Sequence, residues 1–185
     1  SQSIICRQTT RLNKLVEELN YLTLSVKDTS EDDKNETIFL DKLLIDCMSE
    51  FKLRAEKEKR DIYIKVIPEN AKIVSNYNKM QRIIVNLIGN AFKYSPSGTK
   101  IEIVTEIKNQ ELSISIIDEG CGIKEEDIDN IFKRLYRVEA SRNLKTGGYG
   151  LGLAIAKQLA LQINGDILVE SEYGKGSKFT LKINC

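Results

Sequence analysis

The sequence contains no apolar run approaching the roughly 18 to 20 residues that a membrane-spanning helix needs, and it shows no signal peptide. Its 28 basic residues are matched by 27 acidic ones, and a net charge of +1 argues against a nucleic-acid surface. No Cys-x-x-Cys pair for zinc and no dense disulfide framework is present. The four cysteines lie far apart, at Cys6, Cys47, Cys121 and Cys185. These absences favour a cytosolic protein with reduced thiols.

The composition is that of a globular protein, with 41% hydrophobic and 30% charged residues. A length of 185 residues holds one ordinary domain with an appendage. Apolar residues near the start recur at alternating spacings of three and four, which predicts a helix with the narrow seam of a helix hairpin. They are Leu12, Leu15, Leu19, Leu22 and Val26. We divide the chain into this helical segment, residues 1–30, and a domain at 31–185. Because the sequence opens within the pattern, we expect a fragment.

The most informative motif is a pair of asparagines. Asn86 and Asn90 are one helical turn apart and Lys93 follows three residues later, so all three side chains share one face of a predicted helix. An adjacent apolar stripe would bury in a core. It consists of Met80, Ile83, Ile84, Leu87 and Ala91. Asparagine on a helix is usually only solvated, so the motif indicates an anion site with its counter-cation only in a supporting context.

Four further motifs supply that context, in order. They are Asp-Glu-Gly-Cys-Gly-Ile at 118–123, after an alternating apolar strand, then residues 131–137, the glycine-rich 147–155 and the glycine-rich 174–179. Each glycine cluster alone could be a turn. Together the five segments resemble the N, G1, F, G2 and G3 boxes of sensor histidine kinases of two-component systems. The catalytic domain of those kinases belongs to a superfamily with gyrase, chaperone and mismatch-repair ATPases. The resemblance covers residues 36–185 and reaches more weakly into the first helix.

The remaining patterns predict an α/β two-layer sandwich. Strands are expected near residues 62–66, 72–75, 101–107, 112–116, 167–169 and 179–183. Besides the asparagine helix, helices are expected at 40–51, 124–136 and 149–163. The resulting fold is a mixed sheet of about five strands plus a hairpin, covered on one face by three helices and preceded by one long helix.

Three segments without an apolar pattern complete this prediction. Residues 27–36 are polar and are expected to be a linker. The charge run 54–61 is expected to be a solvated face. Residues 137–149 lack periodicity and are the predicted ATP lid.

The resemblance makes Asp118 the residue that specifies the base. An ionised carboxylate only accepts hydrogen bonds, so it pairs with the exocyclic amine of adenine and repels the carbonyl oxygen of guanine. A simple turn is the competing interpretation of Asp-x-Gly-x-Gly. The resemblance also implies that Gly120, Gly122 and Ile123 line the adenine pocket. Tyr94 could flank adenine, and a core tyrosine is the alternative.

The residues predicted to bind the phosphates lie on two predicted helices. Asn90 offers an amide oxygen, a hard neutral ligand suited to one position of Mg²⁺, while Lys93 would pair with phosphate as a point charge. Backbone N–H groups at a glycine-rich helix start cradle phosphates. The residues concerned are Gly148, Gly150, Leu151, Gly152 and Leu153. Tyr136 and Arg137 resemble family residues that contact the nucleotide, with Arg137 on the terminal phosphate. The catalytic assignments are Asn86, Asn90, Lys93 and Arg137.

Asn86 discriminates between the members of this superfamily. The ATP-hydrolysing relatives, and serine kinases of the same fold, place a glutamate general base four residues before the metal-binding asparagine. An amide cannot take a proton near neutral pH, so we expect poor hydrolysis and a γ-phosphate kept for a separate acceptor. Histidine is absent, so the phosphate-accepting residue is not in this chain. An ATP-hydrolysing relative and a nucleotide-sensing interaction module remain alternatives.

The resemblance implies a set of partners for the whole protein. These are ATP or ADP with Mg²⁺, the dimerisation and phosphotransfer hairpin of the same protein in a homodimer, and a response regulator. Residues 1–30 would be the end of that hairpin, and its missing helix would carry the histidine that receives the γ-phosphate. Family habit implies a cytoplasmic domain of a bacterial membrane-anchored sensor, with membrane contact only through upstream segments.

Overall fold

The computed structural model describes residues 34–138 and 150–184, together with Asn13, Val16 and Leu19, which are helical and exposed. The other residues of the predicted first segment, 1–30, lie outside the described residues. So do Gly148 and most of the predicted lid, residues 139–149. No described helix is both long enough and apolar enough to cross a membrane.

The two long described ranges contain seven strands and five helices. In chain order they are β1 (Glu36–Phe39), α1 (Leu40–Ser49), α2 (Lys52–Glu58), β2 (Asp61–Ile67), β3 (Lys72–Ser75), α3 (Tyr77–Tyr94), β4 (Lys100–Lys108), β5 (Glu111–Asp118), α4 (Glu125–Ile128), α5 (Gly152–Gln162), β6 (Gly165–Glu172) and β7 (Gly176–Asn184).

Five strands form one mixed sheet in the order β2-β4-β5-β7-β6. β2 and β4 are parallel, and the other neighbours are antiparallel. β1 and β3 form a separate antiparallel pair. Alternation puts Ile103, Ile116 and Phe179 opposite one another on the buried face. The three longer helices, α1, α3 and α5, contribute buried side chains to the same core. The predicted two-layer sandwich is confirmed.

The asparagine helix α3 lies at the centre of this core. Its N-terminus is capped by Asn76, whose side chain accepts a hydrogen bond from the backbone N–H of Lys79 at 2.9 Å. It ends before Ser95, which is extended because the next residue is Pro96. Every member of the predicted apolar stripe is buried. Burying a side chain of this size contributes about 1.5–3 kcal/mol, which fixes the face that carries the two asparagines.

Three predictions of local structure were wrong. The helix predicted at 124–136 spans only Glu125–Ile128, because turns follow and the Leu135 N–H bonds to a distant carbonyl instead of a helical one. The last helix begins at Gly152 rather than near residue 149. β1 (Glu36–Phe39) was not predicted, and it begins at Glu36, the last residue of the predicted linker, of which residues 27–33 lie outside the described residues. A four-residue strand with one buried side chain shows no alternation that a sequence could reveal.

The charge run at 54–61 was also misjudged. Most of it belongs to α2 and the start of β2, but Arg60 is buried, with a relative exposure of 7%. Its guanidinium is enclosed by groups from the far end of α3. A long charged side chain is buried only when it is paired, and those partners are distant in sequence.

Candidate nucleotide-binding site

Helix α3 meets the start of α5 at the centre of the predicted site. A Cβ added at Gly152 would lie 3.5 Å from Oδ1 of Asn86, so the two residues are close neighbours. The Nδ2 atom of Asn86 is buried and has no hydrogen-bond partner in the described structure. An unpaired buried N–H costs about 1–3 kcal/mol and calls for an explanation. Among the described residues no side chain caps the start of α5, and the first backbone N–H groups of a helix have no partner within it. Together they form a site suited to an anion.

Asn90 and Lys93 continue this face of α3 towards its C-terminal end. Both are half-buried, and Nζ of Lys93 lies 4.8 Å from the centroid of the Tyr94 ring. The described residues contain no group of three or more His, Cys, Asp or Glu that could hold a metal. The amide oxygen of Asn90 suits a Mg²⁺ whose other ligands are phosphate oxygens and water, the arrangement that Mg²⁺ adopts with nucleotides.

Asp118 lies at the end of β5 and is buried, with a relative exposure of 6%. The backbone N–H of Gly120 donates to its Oδ1 at 2.8 Å, and the backbone of Ser177 also hydrogen-bonds the carboxylate. Burial raises the pKa of Asp118 to about 6, while the two backbone hydrogen bonds and the charge of Arg60 act against that rise. At neutral pH the carboxylate is therefore mostly ionised and can only accept hydrogen bonds.

The loop after Asp118 is held against the C-terminal end of α3. The backbone N–H of Cys121 donates to the carbonyl oxygen of Tyr94 at 3.2 Å. A Cβ at Gly120 would lie 2.6 Å from the same oxygen, so any other residue there would push the loop off the helix. The backbone of Tyr94 therefore joins the asparagine helix to the predicted adenine loop.

The same loop also packs against the turn between β6 and β7. A Cβ at Gly122, whose φ is +65°, would lie 2.0 Å from the carbonyl oxygen of Glu172, so only glycine fits. The backbone N–H of Ile123 donates to Oγ of Ser171 at 2.8 Å, and the Ile123 side chain packs against the core. The structure thus brings Asp118 and the predicted pocket residues into one loop that is fixed on both sides.

The segment 131–137 meets the glycine-rich segment 147–155 at the two ends of the predicted lid, most of which lies outside the described residues. The backbone N–H of Leu135 donates to the carbonyl of Gly150 at 3.0 Å. A Cβ at Gly150 would lie 2.5 Å from the carbonyl oxygen of Tyr136 and 3.2 Å from Cγ of Arg137. The phenol of Tyr136 donates to the carboxylate of Asp127. Tyr136 and Arg137 therefore lie where the chain enters the predicted lid, beside the residue at which it leaves.

The remaining predicted phosphate-binding residues differ in what they can offer. The side chain of Leu151 is fully buried and that of Leu153 packs partly against the core. Only their backbones can contact a phosphate, which is the role that the glycine-rich motif predicts. Gly148 lies outside the described residues.

Two residues that act on Asp118 were not predicted from the sequence. Ser177 lies inside the last predicted motif, but no contact with Asp118 was inferred from it. Arg60 belongs to no motif, and only the rarity of a buried arginine, visible once the fold is known, draws attention to it.

Comparison with known proteins agrees with this geometry. Residues 75–185, more than half of the chain, match the family described as histidine kinase-, DNA gyrase B-, and HSP90-like ATPases. The chain belongs to this family. The matched region contains all five motifs that form the site, from the asparagine helix to the last glycine pair.

Individual relatives of this ATPase domain are histidine kinases. The histidine protein kinase SaeS of Staphylococcus aureus is 36% identical over 186 residues, covering 100% of this chain and 52% of SaeS. The chain thus spans about half the length of the curated relatives it matches. The structure of the Acinetobacter baumannii histidine kinase AdeS is similar, with a TM-score of 0.80 and 25% identity over 98% of this chain and 82% of that chain. The histidine kinase ThkA, solved in complex with the response regulator protein TrrA, has the same fold, with a TM-score of 0.77 and 20% identity over 95% of this chain and 48% of that chain.

The resemblance inferred from the five motifs is confirmed by these findings. The chain carries the ATP-binding domain of a sensor histidine kinase. The structure places Asn86 beside Gly152, the backbone of Tyr94 against Gly120 and Cys121, and Tyr136 and Arg137 beside Gly150, while Gly148 lies outside the described residues.

Proposed function

We propose that this domain binds Mg·ATP at the junction of α3, α5 and the Asp118 loop. We further propose that the complete protein transfers the γ-phosphate to a histidine outside this chain. The acceptor would lie on the dimerisation hairpin of the same protein, of which residues 1–30 would be the end.

The observation that carries this proposal is the side chain of Asn86, whose Nδ2 is buried and unpaired and whose Oδ1 lies 3.5 Å from a Cβ added at Gly152. A residue with an unpaired amide donor close to the start of α5 suits a phosphate oxygen. The anion site lies at Asn86, and the loop that follows Asp118 contacts α3 at Tyr94, so a ligand with a phosphate end and a base end would span the two.

Phosphoryl transfer depends mainly on positioning and on neutralising charge. Bound Mg²⁺, held by Asn90, would neutralise negative charge on the phosphates. Lys93 and Arg137 would supply further positive charge to the phosphates. Asp118 would orient the base by accepting a hydrogen bond from its exocyclic amine.

Transfer to a separate acceptor is favoured over hydrolysis because Asn86 cannot act as a general base. The ATP-hydrolysing members of the superfamily use a glutamate at this position to activate water. With an amide there, water is not activated, and the γ-phosphate survives until an acceptor histidine approaches.

The wider role follows the relatives and is proposed on that ground. The structure of ThkA with a response regulator supports a response regulator as the next phosphate acceptor here. A homodimer, a membrane anchor upstream and a cytoplasmic position in a bacterial sensor complete the proposal.

Calorimetry with different nucleotides tests the binding part of the proposal. We expect ADP with Mg²⁺ to bind with a dissociation constant at least about tenfold lower than that of GDP, because the ionised Asp118 repels the carbonyl oxygen of guanine. Adenosine and inorganic pyrophosphate, tested separately, report the base end and the phosphate end of the site. Equal affinity for ADP and GDP would contradict the assignment of Asp118.

A further inference from the structure

Arg60, which belongs to none of the five motifs, makes five side-chain hydrogen bonds. Its side chain is only 2% exposed. Nε donates to Glu58 at 2.5 Å, Nη1 to Oγ of Ser95 at 2.6 Å and Oγ1 of Thr99 at 3.2 Å, and Nη2 to the carbonyls of Phe92 at 3.1 Å and Ser95 at 2.7 Å. A guanidinium has five N–H donors in a fixed fork, and these five bonds match that number.

The groups that Arg60 holds are the end of the asparagine helix. The last carbonyls of a helix lack partners within it and carry partial negative charge, so a cation that donates to them stabilises the helix end. The guanidinium carbon also lies 5.0 Å from the centroid of the Phe92 ring. Arg60 thereby fixes the backbone at Phe92 and Ser95, on either side of Lys93 and Tyr94.

Lys93 and Tyr94, which lie between Phe92 and Ser95, both belong to the predicted nucleotide site. Lys93 is the lysine that is predicted to pair with a phosphate. The carbonyl of Tyr94 accepts the N–H of Cys121 and is the atom against which Gly120 packs. The loop that begins at Asp118 is therefore anchored on a segment that Arg60 holds in place.

We propose that Arg60 is a positioning residue of the nucleotide site. By clamping the backbone at Phe92 and Ser95, it sets the places of Lys93 and of the loop that carries Asp118. The inference rests on the proposed function, since it assigns the segment a nucleotide to bind.

Electrostatics adds a second link. Two titratable or charged side chains act on Asp118 or respond to it: Arg60 and Cys121. Burial and then the backbone bonds govern the pKa of Asp118, and the charge of Arg60 lowers it. Burial raises the pKa of the Cys121 thiol, and the charge of Asp118 raises it further. Arg60 thus favours the ionised carboxylate that accepts from adenine.

Three variants separate the effect of the Arg60 hydrogen bonds from the effect of the Arg60 charge. Arg60→Lys keeps the charge but has only three donors in place of the five-donor fork. Arg60→Met removes both. Arg54→Met is the matched control, because Arg54 also donates to the Phe92 carbonyl and to Glu58 but is 45% exposed and makes no described contact with Ser95. The affinity of each variant for Mg·ADP is measured by calorimetry between pH 5 and 8. Thermal unfolding first shows that each variant is folded.

We expect Arg60→Lys to weaken ADP binding about tenfold without moving the acid midpoint of binding. Arg60→Met should weaken it at least as much and raise that midpoint by about half a pH unit or more. The ADP dissociation constant of Arg54→Met should stay within about twofold of that of the unsubstituted chain. Because the phosphates of ADP titrate in every sample, differences between variants report Asp118. If the Met variant does not fold, Arg60→Lys and Ser95→Ala, measured separately, still decide the positioning role, because each removes part of the hydrogen bonding and keeps the charge.

Three outcomes would overturn the inference, each in a distinguishable way. Loss of thermal stability in Arg60→Lys with unchanged ADP affinity would mean that Arg60 only supports the fold. An equal loss of affinity in Arg54→Met would mean that the Ser95 side of the clamp is irrelevant. An unsubstituted chain that binds no adenine nucleotide would overturn this inference together with the proposed function.

Discussion

Asp118→Asn is expected to weaken ADP binding and, at the same time, to stabilise the nucleotide-free protein. The loss of a charged hydrogen bond should reduce affinity by about 1.5–3 kcal/mol. The pKa of Asp118 is about 6 in the folded protein, above its ordinary 3.8. Folding therefore favours the protonated form, and the ionised form that prevails above pH 6 costs stability. Asparagine is always neutral and removes this cost, which we place at about 1–3 kcal/mol at pH 7.5.

The size of this stabilisation depends on pH and can be measured. The contribution of Asp118 to stability is fully present below pH 3.8 and is lost as pH rises through about 6. The advantage of Asp118→Asn in free energy of unfolding should therefore shrink as pH falls from 7.5 towards 4. Glu119→Gln is the matched control, since it removes a neighbouring carboxylate that is 53% exposed. Unchanged ADP affinity in Asp118→Asn would refute the role of Asp118, and lower stability at pH 7.5 would refute the cost of its ionisation.

Asn90→Ala should abolish phosphorylation in a longer protein that includes the proposed phosphoacceptor helix. Removing the amide ligand leaves Mg²⁺ and the γ-phosphate misplaced, and a misplacement of about 1 Å can cost on the order of 100-fold in rate. The measurement is the initial rate of labelling from ATP carrying a radioactive γ-phosphate.

Asn78→Ala is the matched control for this prediction. Asn78 is the same residue type on the same helix, but it is exposed and outside the predicted site. It should label at the rate of the unsubstituted protein. Equal rates in the two variants, with normal Mg²⁺ dependence, would mean that Asn90 is not the metal ligand.

The sequence predicted best what local patterns determine. Helix α3 was predicted from an apolar stripe at helical spacing, and all five members of that stripe are buried. The hairpin of β4 and β5 was predicted from alternation around 108–110, and Asn109 and Gln110 adopt the positive φ that such a tight turn needs. These features depend on neighbours within a few residues, so one sequence contains the information.

Features set by tertiary contacts escaped prediction. Arg60 looked like part of a solvated charge run because its partners Phe92 and Thr99 lie 32 and 39 residues away. The helix predicted through residue 136 stops early because the Leu135 N–H pairs with Gly150 across the undescribed lid. The depth at which Asp118 is buried, which determines its pKa, likewise depends on strand β7 far along the chain.

Incubation with ATP carrying a radioactive γ-phosphate tests the central claim most directly. The chain alone should bind ATP yet acquire no label and release phosphate very slowly, because it contains no histidine and Asn86 cannot activate water. Addition of the upstream helices should produce a label that is stable to base and labile to acid, as a phosphohistidine is. Rapid turnover of ATP by the chain alone, at many molecules per second, would contradict the account and identify a hydrolysing ATPase instead.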